Sequence, residues 1–104
     1  MIEAEYENKM LDVFHRCHFD AKQGDVNAQN QLGELYHYGN GVIQNYEEAV
    51  KWYQIVASQG LIIALYNLGD MYLRREGVER GYKEAVKCYL FAADIIAGQG
   101  SLNG

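Results

Sequence analysis

The chain has 104 residues, of which 49% are hydrophobic and 22% charged, enough apolar material for one small domain with its own core. Nine basic side chains against fourteen acidic ones leave a net charge of −5, a sign that repels phosphate backbones and argues against a nucleic-acid partner. The longest unbroken apolar run, Leu61 to Tyr66, is far shorter than the roughly 18 residues of a bilayer span, so no membrane role is expected.

The N-terminus reads Met-Ile-Glu-Ala-Glu-Tyr-Glu. It has neither a basic n-region nor an apolar h-region, so no signal peptide is expected in it. Cys17 and Cys88 are the only cysteines, too few for a disulfide-stapled scaffold. Free thiols and no signal fit a cytoplasmic protein.

Sliding the window of residues 24–59 by 36 residues aligns fourteen identities without a gap. Gly24, Ala28, Leu32, Gly33 and Tyr36 fall on Gly60, Ala64, Leu68, Gly69 and Tyr72. Gly41, Val42 and Tyr46 fall on Gly77, Val78 and Tyr82. Glu48, Ala49, Val50 and Lys51 fall on Glu84, Ala85, Val86 and Lys87, and Tyr53 and Ala57 fall on Tyr89 and Ala93. Self-similarity at this period is the mark of a stacked repeat architecture.

In chain order, residues 4–23 read as a lone helix. Met10, Val13, Phe14, Cys17 and Ala21 occupy the register of Tyr46, Ala49, Val50, Tyr53 and Ala57, so this segment is the second helix of a degenerate preceding unit and caps the array. Repeat 1, residues 24–59, reads as two helices. Ala28, Leu32, Leu35 and Tyr36 recur at helical spacing, then Tyr46, Ala49, Val50, Tyr53, Val56 and Ala57. Asp25 is the expected N-cap of the first, and Asn45 with Glu48 resembles a capping box at the second. Gly39 and Gly60 suit left-handed C-caps. Gly41 and Gly77 suit positive φ in the connections, which Val42 and Val78 plug. Repeat 2, residues 60–98, repeats the hairpin, its last helix starting at Tyr82 and ending at Gly98; a frayed tail, 99–104, is expected.

Gly33 and Gly69 lie inside helices, where glycine costs about 1 kcal/mol against alanine. A cost incurred twice implies a benefit gained twice. The expected benefit is close helix approach, with Ala49, Ala57, Ala85 and Ala93 facing the glycines and the tyrosines filling the wider ends. Cys17 and Cys88 are then two units apart. Packed helices lie ~8–10 Å apart and a disulfide needs Cα atoms within ~7 Å, so no bridge is expected.

His15-Arg-Cys-His18 is the one cluster resembling a site. His15 and His18 lie at i, i+3, but Cys17 points to the core and no second ligand pair exists, so no metal or other cofactor is expected. Phosphate loops, dinucleotide fingerprints, nucleophile elbows and zinc-protease motifs are absent. Lys51 and Lys87 sit between buried positions and read as stems covering apolar surface. No catalytic residue set emerges, and an enzyme is not expected.

Ala28-Gln-x-x-Leu-Gly-x-Leu-Tyr36, Gly39-x-Gly-Val42, Asn45-Tyr-x-Glu-Ala-Val-Lys-Trp-Tyr53 and Ala57-x-x-Gly60 together resemble a Sel1-like repeat, the 36-residue relative of the tetratricopeptide repeat. Ala64-x-x-x-Leu-Gly-x-Met-Tyr72, Gly77-Val78 and Tyr82-x-Glu-Ala-Val-Lys-x-Tyr89 resemble a second copy. The resemblance covers residues 24–96. It implies an all-α, right-handed α-α superhelix of about five helices, and the role of a non-catalytic adaptor or scaffold for another protein or peptide. Two departures stand out: Arg75 replaces the first glycine of the Gly-x-Gly loop, which would reshape the second connection, and Cys88 replaces the aromatic seen at Trp52. In such a solenoid the first helices line the concave face. The resemblance therefore implies a binding groove made by Asn27, Asn30, Gln31, Glu34 and His37 of unit one and Ile63, Tyr66, Asn67, Asp70 and Arg74 of unit two. Leu61 to Tyr66, apolar almost all round, is either wedged among helices or left as a patch. Cys88, Phe91 and Ile95 are assigned to the side where a third unit would stack, and solenoid ends need polar faces for solubility. Self-association, a homo-oligomer through this end, is the alternative expectation.

Overall fold

The computed structural model describes residues 2–79 and 81–103, with side chains for residue 5, 8–79 and 81–98. Among the described residues five helices follow one another: α1 (Ile2–Lys22), α2 (Val26–Tyr38), α3 (Tyr46–Ala57), α4 (Ile62–Arg74) and α5 (Tyr82–Asn103). There is no strand among the described residues. Each helix packs on its neighbours in sequence, α1 on α2 through to α4 on α5. The result is an elongated right-handed α-α superhelix, 54 × 32 × 23 Å.

The helix starts follow from the residues named in the sequence. Asp25 Oδ1 accepts from Ala28 N–H at 3.0 Å, and Asn45 Oδ1 from Glu48 N–H at 3.1 Å. The capping box at Asn45 is only half formed. Asn45 N–H, which a box would give to Glu48, donates instead to the Tyr36 carbonyl at 2.9 Å and so ties α3 back to α2. Gly39 is the left-handed cap of α2 (φ 71°). Gly60 is also left-handed, but α3 is already capped by Ser58 in right-handed geometry. Gly98 does not stop α5, which runs on to Asn103; it does not take the left-handed conformation that makes Gly39 a cap.

Gly33 and Gly69 do make close approaches, but to tyrosine rings rather than to alanines. A Cβ on Gly33 would stand 2.7 Å from Tyr53 Cε1, and one on Gly69 would stand 2.7 Å from Tyr89 Cε1. Each hairpin is locked by a tyrosine laid into a notch on the facing helix. Ala49, Ala57 and Ala85 are buried as expected, whereas Ala93 is exposed. Around Tyr53 the core gathers Val50, Val56, Ala64, Leu65, Leu68 and Met71. A second cluster joins Ala21 of α1 to Ala28 and Leu32 of α2.

Arg75 occupies the position of Gly39 and takes the same left-handed conformation (φ 55°, ψ 38°), so the end of α4 is capped as the end of α2 is. A non-glycine residue held there stores strain. Arg75→Gly is expected to stabilise the protein by about 0.5–1 kcal/mol, the relief being partly offset by unfolded-chain entropy; thermal unfolding followed by circular dichroism would show a Tm raised by a few degrees.

Candidate binding surface

Successive residues of a helix are turned by about 100°, so positions i, i+4, i+7 and i+11 share one face. On α2 the outward strip is Asn27, Gln31, Glu34 and Tyr38; on α4 the same register gives Ile63, Asn67, Asp70 and Arg74. Asn27, Gln31, Ile63 and Arg74 are exposed, while Glu34, Asn67 and Asp70 are half-buried. Asn30 and Tyr66 flank the strips. Asn30 is half-buried and donates through Nδ2 to Glu34 Oε1 at 3.3 Å; Tyr66 is exposed.

His37 does not belong to the strip. It is 7% exposed, one helical step out of phase, and it lies in the seam between the two units. Its Nε2 is 3.2 Å from Glu76 Oε1 and its Nδ1 is 3.5 Å from Tyr53 Oη. The rings of Tyr38, Tyr46 and Tyr53 surround it at centroid distances of 4.5, 5.6 and 6.0 Å. The exposed aromatic at the end of the strip is its neighbour Tyr38, which the sequence reading passed over although the i, i+4, i+7, i+11 phase picks it out.

The strip on α4 is braced from behind. Tyr89 Oη donates to Asp70 Oδ1 at 2.5 Å, and its ring lies 6.1 Å from that of Tyr66. Burial, then the hydrogen bond to Asp70 and the charge of that carboxylate, push the Tyr89 phenol up to about 12, so it stays a neutral donor and fixes the orientation of Asp70. Beside the strip on α2, Asn27 and Gln31 share a crevice of about 280 Å³ with Arg16 and Asp20 of α1. A larger recess of about 590 Å³, lined by Met10, Leu11, Asn40, Val42 and Ile43, opens between α1 and the first connection. The sequence reading did not find it, because it depends on how that loop lies against α1.

The run Leu61 to Tyr66 divides between both expectations. Ala64 and Leu65 are buried and Leu61 and Ile62 half-buried, whereas Ile63 and Tyr66 face out. On α5, Cys88 and Ile95 pack inward against the main core cluster, and Phe91 is exposed. The unit-one counterpart of Cys88, Trp52, likewise turns toward the preceding unit, packing on Ala21, Ala28 and Leu32. These three positions therefore do not share the stacking side assigned to them.

The remaining chemistry is sparse. Among the described residues no group of three His, Cys, Asp or Glu side chains gathers to hold a metal. His18 stacks on Phe14, and Cys17 and Cys88 are free thiols. Burial raises both thiols above their ordinary range, which disfavours the reactive thiolate. Lys51 and Lys87 are exposed and pair with Glu48 and Glu84, at 3.3 and 3.4 Å. No described helix is long and apolar enough to cross a membrane.

The model of the Sel1 repeat matches residues 26–61 and 62–94. A search of curated proteins finds no match. Among solved structures, a Sel1 repeat protein from Oxalobacter formigenes superposes with a TM-score of 0.66 at 39% identity, over 71% of this chain and 30% of the other. A protective antigen of uropathogenic Escherichia coli strains that displays an SLR fold superposes with a TM-score of 0.69 at 30% identity, over 88% of this chain and 23% of the other. The chain thus spans less than a third of either structure.

Proposed function

Because the chain belongs to the Sel1 repeat family, whose repeats generally mediate protein–protein interaction and whose members are typically non-enzymatic, we propose that it is a non-catalytic adaptor holding a peptide or protein surface along the outward strips of α2 and α4. The carrying observation is that both first helices turn the same helical phase outward, one with the amides Asn27 and Gln31 and the other with Ile63, Asn67 and Arg74, flanked by the exposed Tyr66. Side-chain amides satisfy the backbone of an extended segment, and an exposed aliphatic and an aromatic supply pockets for its side chains. The tyrosine brace on Asp70 holds an acceptor in place before a partner arrives, which lowers the ordering cost of binding. The cytoplasm suits this reading, since both thiols are unpaired and held protonated.

Crosslinking with mass spectrometry on a tagged copy in its own cell extract tests it. Crosslinks should concentrate on α2 and α4. The combined variant Tyr66→Ala, Asn67→Ala, Arg74→Ala should lose the captured partner by at least about tenfold, as removal of an interface centre does, with an unchanged helical spectrum. Retention of the partner by that variant refutes the strip. A second reading, self-association through α5, has the exposed Phe91 in its favour; a dilution series in the ultracentrifuge showing only monomer excludes it.

A further inference from the structure

The two joints between units are built alike: Gly41 abuts the Met10 carbonyl of α1, and Gly77 abuts the Tyr46 carbonyl of α3. The two hairpins are built alike as well, with Tyr53 over Gly33 and Tyr89 over Gly69. Residues one period apart therefore occupy like places on α1, α3 and α5. One such place is apolar and exposed in all three: Phe19 is 64% exposed, Ile55 43% and Phe91 48%. Single exposed apolar residues are ordinary, but the same place left apolar three times makes a ridge across the second helices, along the length of the array. Stacking of units does not cover it. The helix of Ile55 has a neighbour on either side, α2 before and α4 after, yet Ile55 stays exposed, so further units at either end would leave it bare.

Charged residues lie in rows beside the ridge. Four residues before it come His15, Lys51 and Lys87; three residues after it come Lys22, Ser58 and Asp94, all exposed. On a helix these two offsets fall on the same side of the ridge residue, about 6 Å toward the N-terminus and about 4.5 Å toward the C-terminus. A two-fold axis running along the ridge sets each helix against its own counterpart, antiparallel. It lays Phe19, Ile55 and Phe91 on the same three residues of a second copy, and it brings the row before the ridge onto the row after it. Lys87 of each copy then faces the partner's Asp94, Lys51 faces the partner's Ser58 and His15 the partner's Lys22. No two acids of these rows meet.

We infer that this ridge pairs two copies of the chain about a two-fold axis through Phe19, Ile55 and Phe91. A membrane surface is a poor occupant, because a net charge of −5 opposes anionic lipid. Even the narrower long side of the molecule, 54 × 23 Å, has room for the ~800 Å² per partner of a standard interface. Three apolar contacts and one attractive charge pair made twice give a weak, reversible dimer. The contact centres on α3 and so differs from pairing through the end of α5. It does not rest on the strips of α2 and α4, which it leaves free on both copies.

Sedimentation equilibrium of the intact chain, from about 10 μM to about 2 mM, tests it. A monomer–dimer equilibrium half-complete between roughly 0.1 and 1 mM is expected. Ile55→Asp and Phe19→Asp, both at exposed sites, should each weaken it by about tenfold or more with an unchanged circular dichroism spectrum. Lys87→Asp should weaken it by about threefold or more, and adding Asp94→Lys should restore it. Val86→Asp, on another side of α5, should leave it unchanged. Monomer throughout, or a dimer indifferent to Ile55→Asp and Phe19→Asp, overturns the inference. A dimer broken by Val86→Asp instead overturns it in favour of the end of α5, and failure of Asp94→Lys to restore the Lys87→Asp variant overturns the antiparallel pairing. A chain that stays monomeric while Ile55→Asp costs it a protein captured from its own cell extract gives the ridge to that protein, and overturns the inference as well.

Discussion

Tyr53→Ala is expected to cost about 3–5 kcal/mol, the range for emptying a large buried aromatic site, out of the roughly 5–15 kcal/mol that holds a domain of this kind together. The ring is 0% exposed and fills the notch that Gly33 leaves on α2. The loss reaches beyond one hairpin: Tyr53 backs His37, and His37 meets Glu76 in the connection after α4, so the same ring supports the seam between the two units. Tyr89→Ala is the internal control. Tyr89 lies in the equivalent notch over Gly69 but is half-buried, and should cost about 1–3 kcal/mol less. Tyr53→Phe should cost under about 1 kcal/mol, since its hydroxyl contact at 3.5 Å is long for a hydrogen bond. Urea-unfolding midpoints measure all three. Equal losses at Tyr53 and Tyr89 would refute the special position of the first ring.

The hairpins and their order were legible because their periodicity is stated twice by identical residues at a 36-residue interval, and the caps at Asp25, Gly39 and Asn45 because each rests on a local rule. What stayed hidden depends on phase or on contacts between units. The sequence places His37 on the outer face because it lies off the apolar stripe of α2, yet one residue is about 100° of helix, and the seam supplies a carboxylate and a phenol that make burial of an imidazole tolerable. Tyr38, the true end of the strip, was passed over although the phase selects it. The tyrosine-in-notch lock was misread as alanine-to-glycine packing because both schemes place small residues at the same positions; only coordinates show that a ring, not a backbone, occupies the space. Phe91 and Cys88 look like an open end in a list of apolar residues, but Cys88 packs inward, and Val86, 43% exposed, is the one that repeats a covered position, Val50.

Gly41→Ala is the second large effect, about 2–5 kcal/mol, and it bears on how the units stack. Gly41 has φ +75°, a conformation that costs a side-chain-bearing residue about 1–2 kcal/mol. The added Cβ would also run into the Met10 carbonyl of α1. That obstacle is helix backbone, so relief means moving α1 away from the loop, which adds the roughly 1–3 kcal/mol of an overpacked site. Gly24→Ala separates the two contributions. Gly24 has φ +97° but nothing within 4 Å of an added Cβ, so it should show the conformational cost alone. If both variants lose the same stability in denaturant titrations, the contact with Met10 is not holding the joint. If Gly41→Ala loses more, the loop-to-helix contact is what sets the spacing of successive units. The same contact recurs where Gly77 meets Tyr46.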